Sequence, residues 1–437
     1  MSTADAPATD IDRVLEAGLA RAGQDAANDP LHALRRSGAE RVRALGLPER
    51  RQETWRYTPV SFLKRAEYRP FTDGPITALQ LSDIEDLLLD DHRGARLVFV
   101  NGHFAPSLSV TDGGAGLRIA SLAEAEPDTF GAEDAAQYRH IFSALNAALA
   151  LDGALIEVAD GAELEHPIEI LHIAVGGDEP VIVSPRHALH IGRGAQAGLI
   201  ERYASLGESV YFDNVSLDVT LGANAELTHQ CLQQESPTAQ HLVDLDVRLG
   251  AGSRYRYTLA ALGGDWSRSD VRVRFDGEGA SAELNGLMLA RDGQLNDVHL
   301  DVDHAVPGCT SVETFKSILD GQGRVVFDGH VLVARDAQKT DAALANHNLM
   351  LSRSAEVDTK PTLEIFADDV KCSHGTTVGE LDKNMLFYLR SRGIPEGAAT
   401  RMLCQGFAED ILGRFDDPAL RARASRLLDE RLAPTEE

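Results

Sequence analysis

A thiol and an imidazole stand two residues apart near the C-terminal end of the chain. Cys372 and His374 lie in the run ADDVKCSHG, where alternate residues share one face if the segment is extended. Both side chains would then point the same way. Thiolate and imidazole together suit iron, zinc or copper(I). A closed metal site usually needs four ligands. The missing ligands would come from elsewhere in the chain, with His347 and Cys309 as candidates, or from a second chain.

The alternative is that the pair is structural. A free cysteine is among the most buried residue types, and a lone histidine is often a core or edge residue. On spacing alone, packing is the commoner explanation, and both interpretations stay open. Packing is also the default interpretation of Cys231 in a strand, Cys404 in a helix and His304 in VDHAVPG. The four cysteines lie far apart in sequence, and in a cytosolic protein they are predicted to be reduced thiols and not a disulfide framework.

The usual self-contained catalytic motifs are missing from the sequence. It has no Gly-Lys pair and therefore no phosphate-binding Walker A loop. G-x-S-x-G, H-E-x-x-H and C-x-x-C are also absent, and no glycine fingerprint leads from a strand into a helix. If ATP matters to this protein, a partner hydrolyses it.

Charge and composition exclude several classes of partner. The 437 residues carry a formal net charge of -26. Such a surface repels nucleic acid and anionic membranes. Hydrophobic residues make up 43%, enough for a large core, but no apolar run of about 18 residues could span a bilayer. The N-terminus lacks the pattern of a signal peptide, so a cytoplasmic location is predicted.

Small-residue turns recur along the middle of the chain at intervals of 28 or 29 residues. They fall at Gly194, Gly222, Gly250, Gly279, Gly308 and Asp336. Two runs of alternating apolar and polar residues follow each turn, as in RVVFDGHVLVA. A fixed period of this length is typical of a solenoid. We therefore predict a mainly β protein with a two-sheet β-helix that starts near residue 150 or somewhat before. An antiparallel sandwich is the alternative.

The two ends of the chain have a different pattern. Residues 9–46 and 383–437 show helical periodicity. These regions are predicted to cap the solenoid, whose terminal coils otherwise expose sheet edges. The predicted domains are an N-terminal helical region at 1–90, a β-helix core at 91–380 and a C-terminal helical region at 381–437. Trp55 and Tyr57 in ETWRYTP are predicted to anchor the N-terminal region on the core.

Several long runs resemble the Suf iron–sulfur cluster assembly scaffolds, the SufB/SufD family. They are residues 299–333, 337–352 and 361–394, together with ETWRYTP. The resemblance covers the chain from about residue 50 to 415. The KCSHG run resembles the SufD branch, since the SufB branch has a Glu-His-Glu type sequence there.

The resemblance implies a right-handed parallel β-helix flanked by helices, and a scaffold without ATPase activity. Such a chain pairs with SufB through the β-helix and binds the SufC ATPase through its C-terminal helices, with no nucleotide of its own. A transient Fe–S cluster forms at the interface with SufB. Carried over, the histidine implicated in cluster assembly is His374, and Cys372 matches a neighbouring family cysteine.

Two other functions remain as alternatives. One is a homodimeric β-helix scaffold without a metal role, because such chains pair with themselves when SufB is absent. The other is a carbohydrate-active β-helix enzyme, which needs paired carboxylates and often aromatic sugar platforms. Aromatic residues make up only 5% of this chain, which disfavours the enzyme.

Overall fold

A computed structural model describes residues 10–22, 31–71, 78–122, 138–177 and 179–433. The helices in these residues are α1 (Asp10–Ala22), α2 (His32–Leu45), α3 (Ile141–Leu149), α4 (Lys383–Ser391), α5 (Glu396–Leu412) and α6 (Pro418–Leu432). The strands are β1 (Arg69–Pro70), β2 (Arg96–Val100), β3 (His103–Phe104), β4 (Leu117–Ser121), β5 (Ala154–Val158), β6 (Ile168–Val175), β7 (Val181–Val183), β8 (Arg186–Ile191), β9 (Gln196–Leu206), β10 (Tyr211–Leu221), β11 (Glu226–Gln233), β12 (Gln240–Leu249), β13 (Arg254–Ala261), β14 (Trp266–Phe275), β15 (Ser281–Ala290), β16 (Leu295–His304), β17 (Thr310–Leu319), β18 (Arg324–Val333), β19 (Asp341–Met350), β20 (Glu356–Ile365) and β21 (Lys371–Glu380).

The strands form two stacked sheets. The first sheet runs β20-β18-β16-β14-β12-β10-β8-β5-β4, and the second runs β21-β19-β17-β15-β13-β11-β9-β6-β2-β3. From β8 onward, successive strands alternate between the sheets and each pairs in parallel with the strand one coil away. The predicted β-helix of two sheets with flanking helices is confirmed, with about eight turns between residues 155 and 380.

The interior of the solenoid is built from the apolar members of each alternating run. Leu217, Leu245, Val271 and Leu300 stack in register on four consecutive strands of the first sheet, and all are buried. Coil length varies around the predicted period: Gln240 pairs with Trp266, 26 residues later, and Arg324 pairs with Glu356, 32 residues later. The variation lies in the corners, since the strands themselves stay in register.

Glycine is required at the corners for two different reasons. Gly279 and Gly308 have φ angles of 70° and 74°, which residues with a Cβ rarely adopt. At Gly222 the reason is close approach, because a Cβ there would lie 2.8 Å from the backbone nitrogen of Arg193 in the preceding coil. The recurring turns therefore mark the places where coils bend and touch.

The N-terminal region covers the outer face of the first sheet. The helices α1, α2 and α3 share a buried cluster with Phe212, Leu242 and Trp266. The region is mixed rather than wholly helical, because β1 pairs with β7 and β2 joins the second sheet. The limits 1–90, 91–380 and 381–437 stay predictions, since elements from both sides of residue 90 pack together.

Trp55 is buried, and the guanidinium of Arg268 lies 3.8 Å from the centre of its ring. This contact joins the N-terminal region to the core, as predicted.

The C-terminal helices cover the outer face of the second sheet. Side chains of α5 and α6 are buried with Leu232, Leu287 and Ile318 from three strands of this sheet. The carboxylate of Asp417 accepts a hydrogen bond from the backbone of Leu420, so it caps α6 at the predicted start. By contrast, α4 has no buried residue. None of the helices in the described ranges is long and apolar enough to cross a membrane.

The two ends of the solenoid differ. At the N-terminal end, β3 and β4 pair antiparallel with β2 and β5, which interrupts the parallel stack. At the C-terminal end, β20 and β21 are the last strands of the two sheets. We call β20 and β21, with their outer edges, the open end.

Candidate functional site

Cys372 and His374 lie on β21, at the open end. In the ladder with β19 they pair with Ala342 and Leu344, whose side chains are buried inside the solenoid. The two side chains therefore extend the interior face by one coil, as the alternation predicted. Cys372 is partly buried and His374 is exposed. The pair thus lies where the interior of the solenoid meets solvent.

A polar contact lies next to this pair, beneath Thr376 on the same strand. The side-chain oxygen of Asn346, which is fully buried, accepts hydrogen bonds from the hydroxyls of Thr359 at 2.9 Å and Thr376 at 3.3 Å. These contacts link both sheets at the last two coils. They hold β21 in place although its side chains are mostly exposed.

Burial raises the pKa of the Cys372 thiol, and the negative charges of Asp341 and Glu313 act in the same direction. The backbone of Ala342 opposes this with a hydrogen bond that lowers the pKa. A thiol with a raised pKa stays protonated at neutral pH and is a poor nucleophile. It can still become a ligand, because a metal ion displaces the proton on binding.

A buried carboxyl group lies deeper in the same column of side chains. Glu313 on β17 pairs with Leu344, which in turn pairs with His374. Glu313 is 0% exposed, and neither carboxyl oxygen has a hydrogen-bond partner in the described part of the chain. Burial raises its pKa to about 7. Glu313 was not among the residues predicted from the sequence, although its spacing of one coil from Leu344 was an available signal.

The raised pKa makes Glu313 a source of pH-dependent stability. Between its ordinary pKa of 4.5 and about 7, the native state holds a proton that the unfolded state has lost. The stabilisation is complete below the lower value and is lost as the pH rises through the upper one. Glu313→Gln stays neutral, so we expect it to raise the free energy of unfolding by about 2–3 kcal/mol at about pH 8, and by less at about pH 5.5.

Denaturant unfolding of both chains at the two pH values measures this effect. Glu278→Gln is the matched control, because Glu278 is exposed on a corner and its replacement should change little at either pH. A Glu313→Gln chain that is less stable than the wild type at the higher pH would show that the ionised carboxylate has a partner in the folded protein.

The other sequence candidates do not join the pair. His347 is on β19, but it falls on the outer face of the sheet, where its Nδ1 lies 2.9 Å from the hydroxyl of Thr377. The Sγ of Cys309 lies 3.5 Å from the carbonyl oxygen of Gly277 in a buried corner. Neither reaches the face that carries Cys372 and His374.

The remaining candidates are core residues, as the default interpretation expects. His304 stacks on Phe275 with ring centres 4.4 Å apart, and burial lowers its pKa to about 4. Cys231 and Cys404 are buried in two different apolar clusters. Burial raises the pKa of Cys404 to about 12.

The outer edges of the open end differ in their hydrogen-bonding capacity. On β21 the N–H of Lys371 bonds to Thr340, so in a parallel ladder the N–H groups of Cys372, His374 and every second residue after them point outward. On β20 the N–H of Glu356 bonds to Gly323, which places Pro361 at an outward position. Proline has no N–H. The β20 edge is therefore interrupted, whereas the β21 edge has a donor at every outward position.

Apolar side chains are exposed on β21 and on α4, the helix that follows it in the chain. Phe387 on α4 is 73% exposed, and Met385 and Tyr388 on the same helix are more than half exposed. Val378 on β21 is 53% exposed. Contiguous exposed apolar surface is typical of protein–protein contact sites.

Comparison with known proteins identifies the family. A profile described as "SUF system FeS cluster assembly, SufBD core domain" matches residues 173–407, which is more than half of the chain. A second, described as "SufBD protein N-terminal region", matches residues 20–170. The chain belongs to the SufBD family.

Individual relatives agree with this membership. The iron–sulfur cluster assembly protein SufD of Escherichia coli (strain K12) is 35% identical over 389 residues, covering 89% of this chain and 90% of that protein. An iron–sulfur cluster assembly SufBD family protein of Synechocystis is 32% identical over 435 residues, covering 95% and 94%. The chloroplastic protein ABCI7 of Arabidopsis thaliana is 29% identical over 411 residues, covering 90% and 85%. This SufBD chain is thus a SufD-like member of the SUF system for Fe–S cluster assembly, in a non-catalytic family.

Proposed function

We propose that this SufBD chain is the SufD-type scaffold subunit of an Fe–S cluster assembly complex, without ATPase activity of its own. The observation that carries the proposal is the open end of the solenoid. It presents Cys372 and His374 side by side, and no third metal ligand lies close to them in the described residues. A site with two ligands at an exposed edge is best completed by a second chain. The nascent cluster is the cargo of that shared site.

The partner at the open end is SufB. The strand β21 offers unpaired outward N–H groups, which suit the addition of a strand from another chain. Pairing of two solenoids at this end would bring the partner's ligands next to His374 and Cys372. His374 would bind iron as a neutral imidazole, and Cys372 would be a second ligand or a close neighbour.

SufC is the proposed partner of the C-terminal helices. The exposed apolar side chains of α4 are available for a contact outside the solenoid, and the chain lacks a phosphate loop. We propose that ATP binding draws two SufC subunits together and shears the SufB pairing at the open end. The movement would expose His374 to iron and sulfide. Nucleotide binding then selects one of two arrangements of the pair.

A cytoplasmic location fits the four free cysteines.

Co-expression of this chain with its SufB and SufC tests the proposal. The readout is iron and acid-labile sulfide in the purified complex, for wild type and His374→Ala. We expect the complex to form in both cases, with cluster content reduced roughly tenfold or more in the variant. His190→Ala is the matched control, since His190 is an exposed histidine at the other end of the first sheet. Equal cluster in wild type and His374→Ala would overturn the ligand assignment.

A homodimeric scaffold is the second candidate, because the same exposed edge can pair with a second copy of this chain. Native mass measurement with and without SufB separates the two. A homodimer that persists when SufB is present in equal amount would favour this candidate.

A further inference from the structure

A second cluster of possible metal ligands lies inside the solenoid, far from the open end in sequence. One ligand atom each from Asp213, Glu235 and His241 lies within 4.8 Å of the other two. We call this the 213–235–241 cluster. No other such group of three Asp, Glu, His or Cys side chains occurs in the described ranges. All three residues are at least 95% buried.

The fold holds the three residues together. Asp213 on β10 and His241 on β12 are direct partners in the parallel ladder, one coil apart. Glu235 lies in the corner that leads into β12, immediately before the partly exposed turn at 236–238. A Cβ at Gly263 would come within 2.5 Å of the backbone nitrogen of Glu235, so glycine lets the next coil pack closely against this corner.

The cluster brings two buried carboxylates together without an arginine. Several other carboxylates in the core do face arginine: Glu169 contacts Arg202 at 2.7 Å, and Arg268 contacts both Asp270 and Asp297. No Lys or Arg in the described residues lies within ion-pair distance of the carboxylates in the 213–235–241 cluster. Two buried carboxylates without a cation are costly unless one keeps a proton. Accordingly, burial and the charge of Glu235 raise the pKa of Asp213 well above its ordinary value.

The imidazole provides an independent indication of a ligand. The Nδ1 of His241 lies 3.1 Å from a carboxyl oxygen of Glu235 but makes no hydrogen bond. Glu235 is held by other donors, the Tyr211 hydroxyl and the Gln233 amide, each at 2.9 Å. The carboxylate is thus fixed by other donors, while the ring nitrogen of His241 faces it at ion-pair distance without making a hydrogen bond.

We propose that the 213–235–241 cluster is a binding site for one divalent first-row transition-metal ion. Two carboxylates and one neutral imidazole suit Zn²⁺, Fe²⁺ or Mn²⁺. The charges of the ion and the two carboxylates cancel, which removes the cost of burying them. The site is separate from the cargo site proposed at the open end and does not depend on it.

The test uses the full-length chain with Cys372→Ser and His374→Ala, so that the open end cannot bind the probe. The protein is stripped with a chelator and titrated with Co²⁺. We expect one ion per chain, visible d–d absorption bands and a higher melting temperature on loading. Adding His241→Gln, or separately Asp213→Asn, should weaken Co²⁺ binding roughly 100-fold or more. His304→Gln, at a buried histidine outside the cluster, should leave binding unchanged.

Two results would overturn the proposal. One is a stripped parent chain that stays folded but shows neither Co²⁺ bands nor thermal stabilisation, which would make the cluster a hydrogen-bonded network only. The other is unchanged Co²⁺ binding in the folded His241→Gln chain, which would place the ion elsewhere. If His241→Gln does not fold, the parent chain alone still decides between uptake and no uptake.

Discussion

We expect that replacing Val378 with proline prevents stoichiometric pairing with SufB, if β21 is the pairing edge, and leaves the chain folded. Val378 is an even-numbered residue of β21, so its N–H points away from β19 and contributes nothing to the chain's own ladder. Proline removes this outward donor and leaves an acceptor on the partner unpaired. The combined loss of roughly 3 kcal/mol weakens pairing roughly 100-fold.

Co-expression with SufB and SufC, followed by size-exclusion chromatography with light scattering, measures the effect. Val378→Thr is the matched control, because threonine suits a strand and keeps the N–H. Circular dichroism of the isolated chains shows whether each variant is folded. Stoichiometric SufB in the Val378→Pro complex would place the interface on another surface.

We expect Arg268→Ala to destabilise the chain by about 3–5 kcal/mol, because it removes the arginine that two buried carboxylates share. The guanidinium contacts Asp270 at 2.8 Å and Asp297 at 3.2 Å, and donates to the carbonyl oxygen of Thr54 at 2.8 Å. It also lies over the ring of Trp55. The substitution therefore removes charge from the core and the contact that fixes the N-terminal region.

Guanidinium chloride unfolding of the isolated chain measures this loss, with Arg254→Ala as the control. Arg254 pairs with Glu226 on the surface, where both side chains are solvent-exposed, and such pairs contribute at most about 1 kcal/mol. Equal losses in the two variants would contradict the assignment of Arg268 as the charge that balances the core.

The solenoid was predictable because its period appears directly in the sequence. Turns such as Gly279 and Gly308 recur at near-constant spacing for a steric reason that applies to every coil. The mixed N-terminal region was not predictable in the same way. Its short strands, such as β1 (Arg69–Pro70), are defined by a partner more than 100 residues away, β7 (Val181–Val183).

The candidate site was predictable in part. Strand alternation placed Cys372 and His374 on one face, which the structure confirms. The same rule could not exclude His347, because its face depends on the register between β19 and β21. Asp213 and His241 stand one 28-residue coil apart, so the period held a signal that was not used. Glu235 lies in a corner, where the period does not fix side-chain direction.

The unequal ends of the solenoid set a limit on assembly. A stack of parallel coils that was exposed at both ends could add further copies without limit, as fibrils do. Here the first coils are closed by the antiparallel strands β3 and β4, and Pro361 interrupts one of the two edges at the other end. Strand addition through the β21 edge alone would then stop at two chains, whichever second chain is bound, and any shared site would be made once per pair.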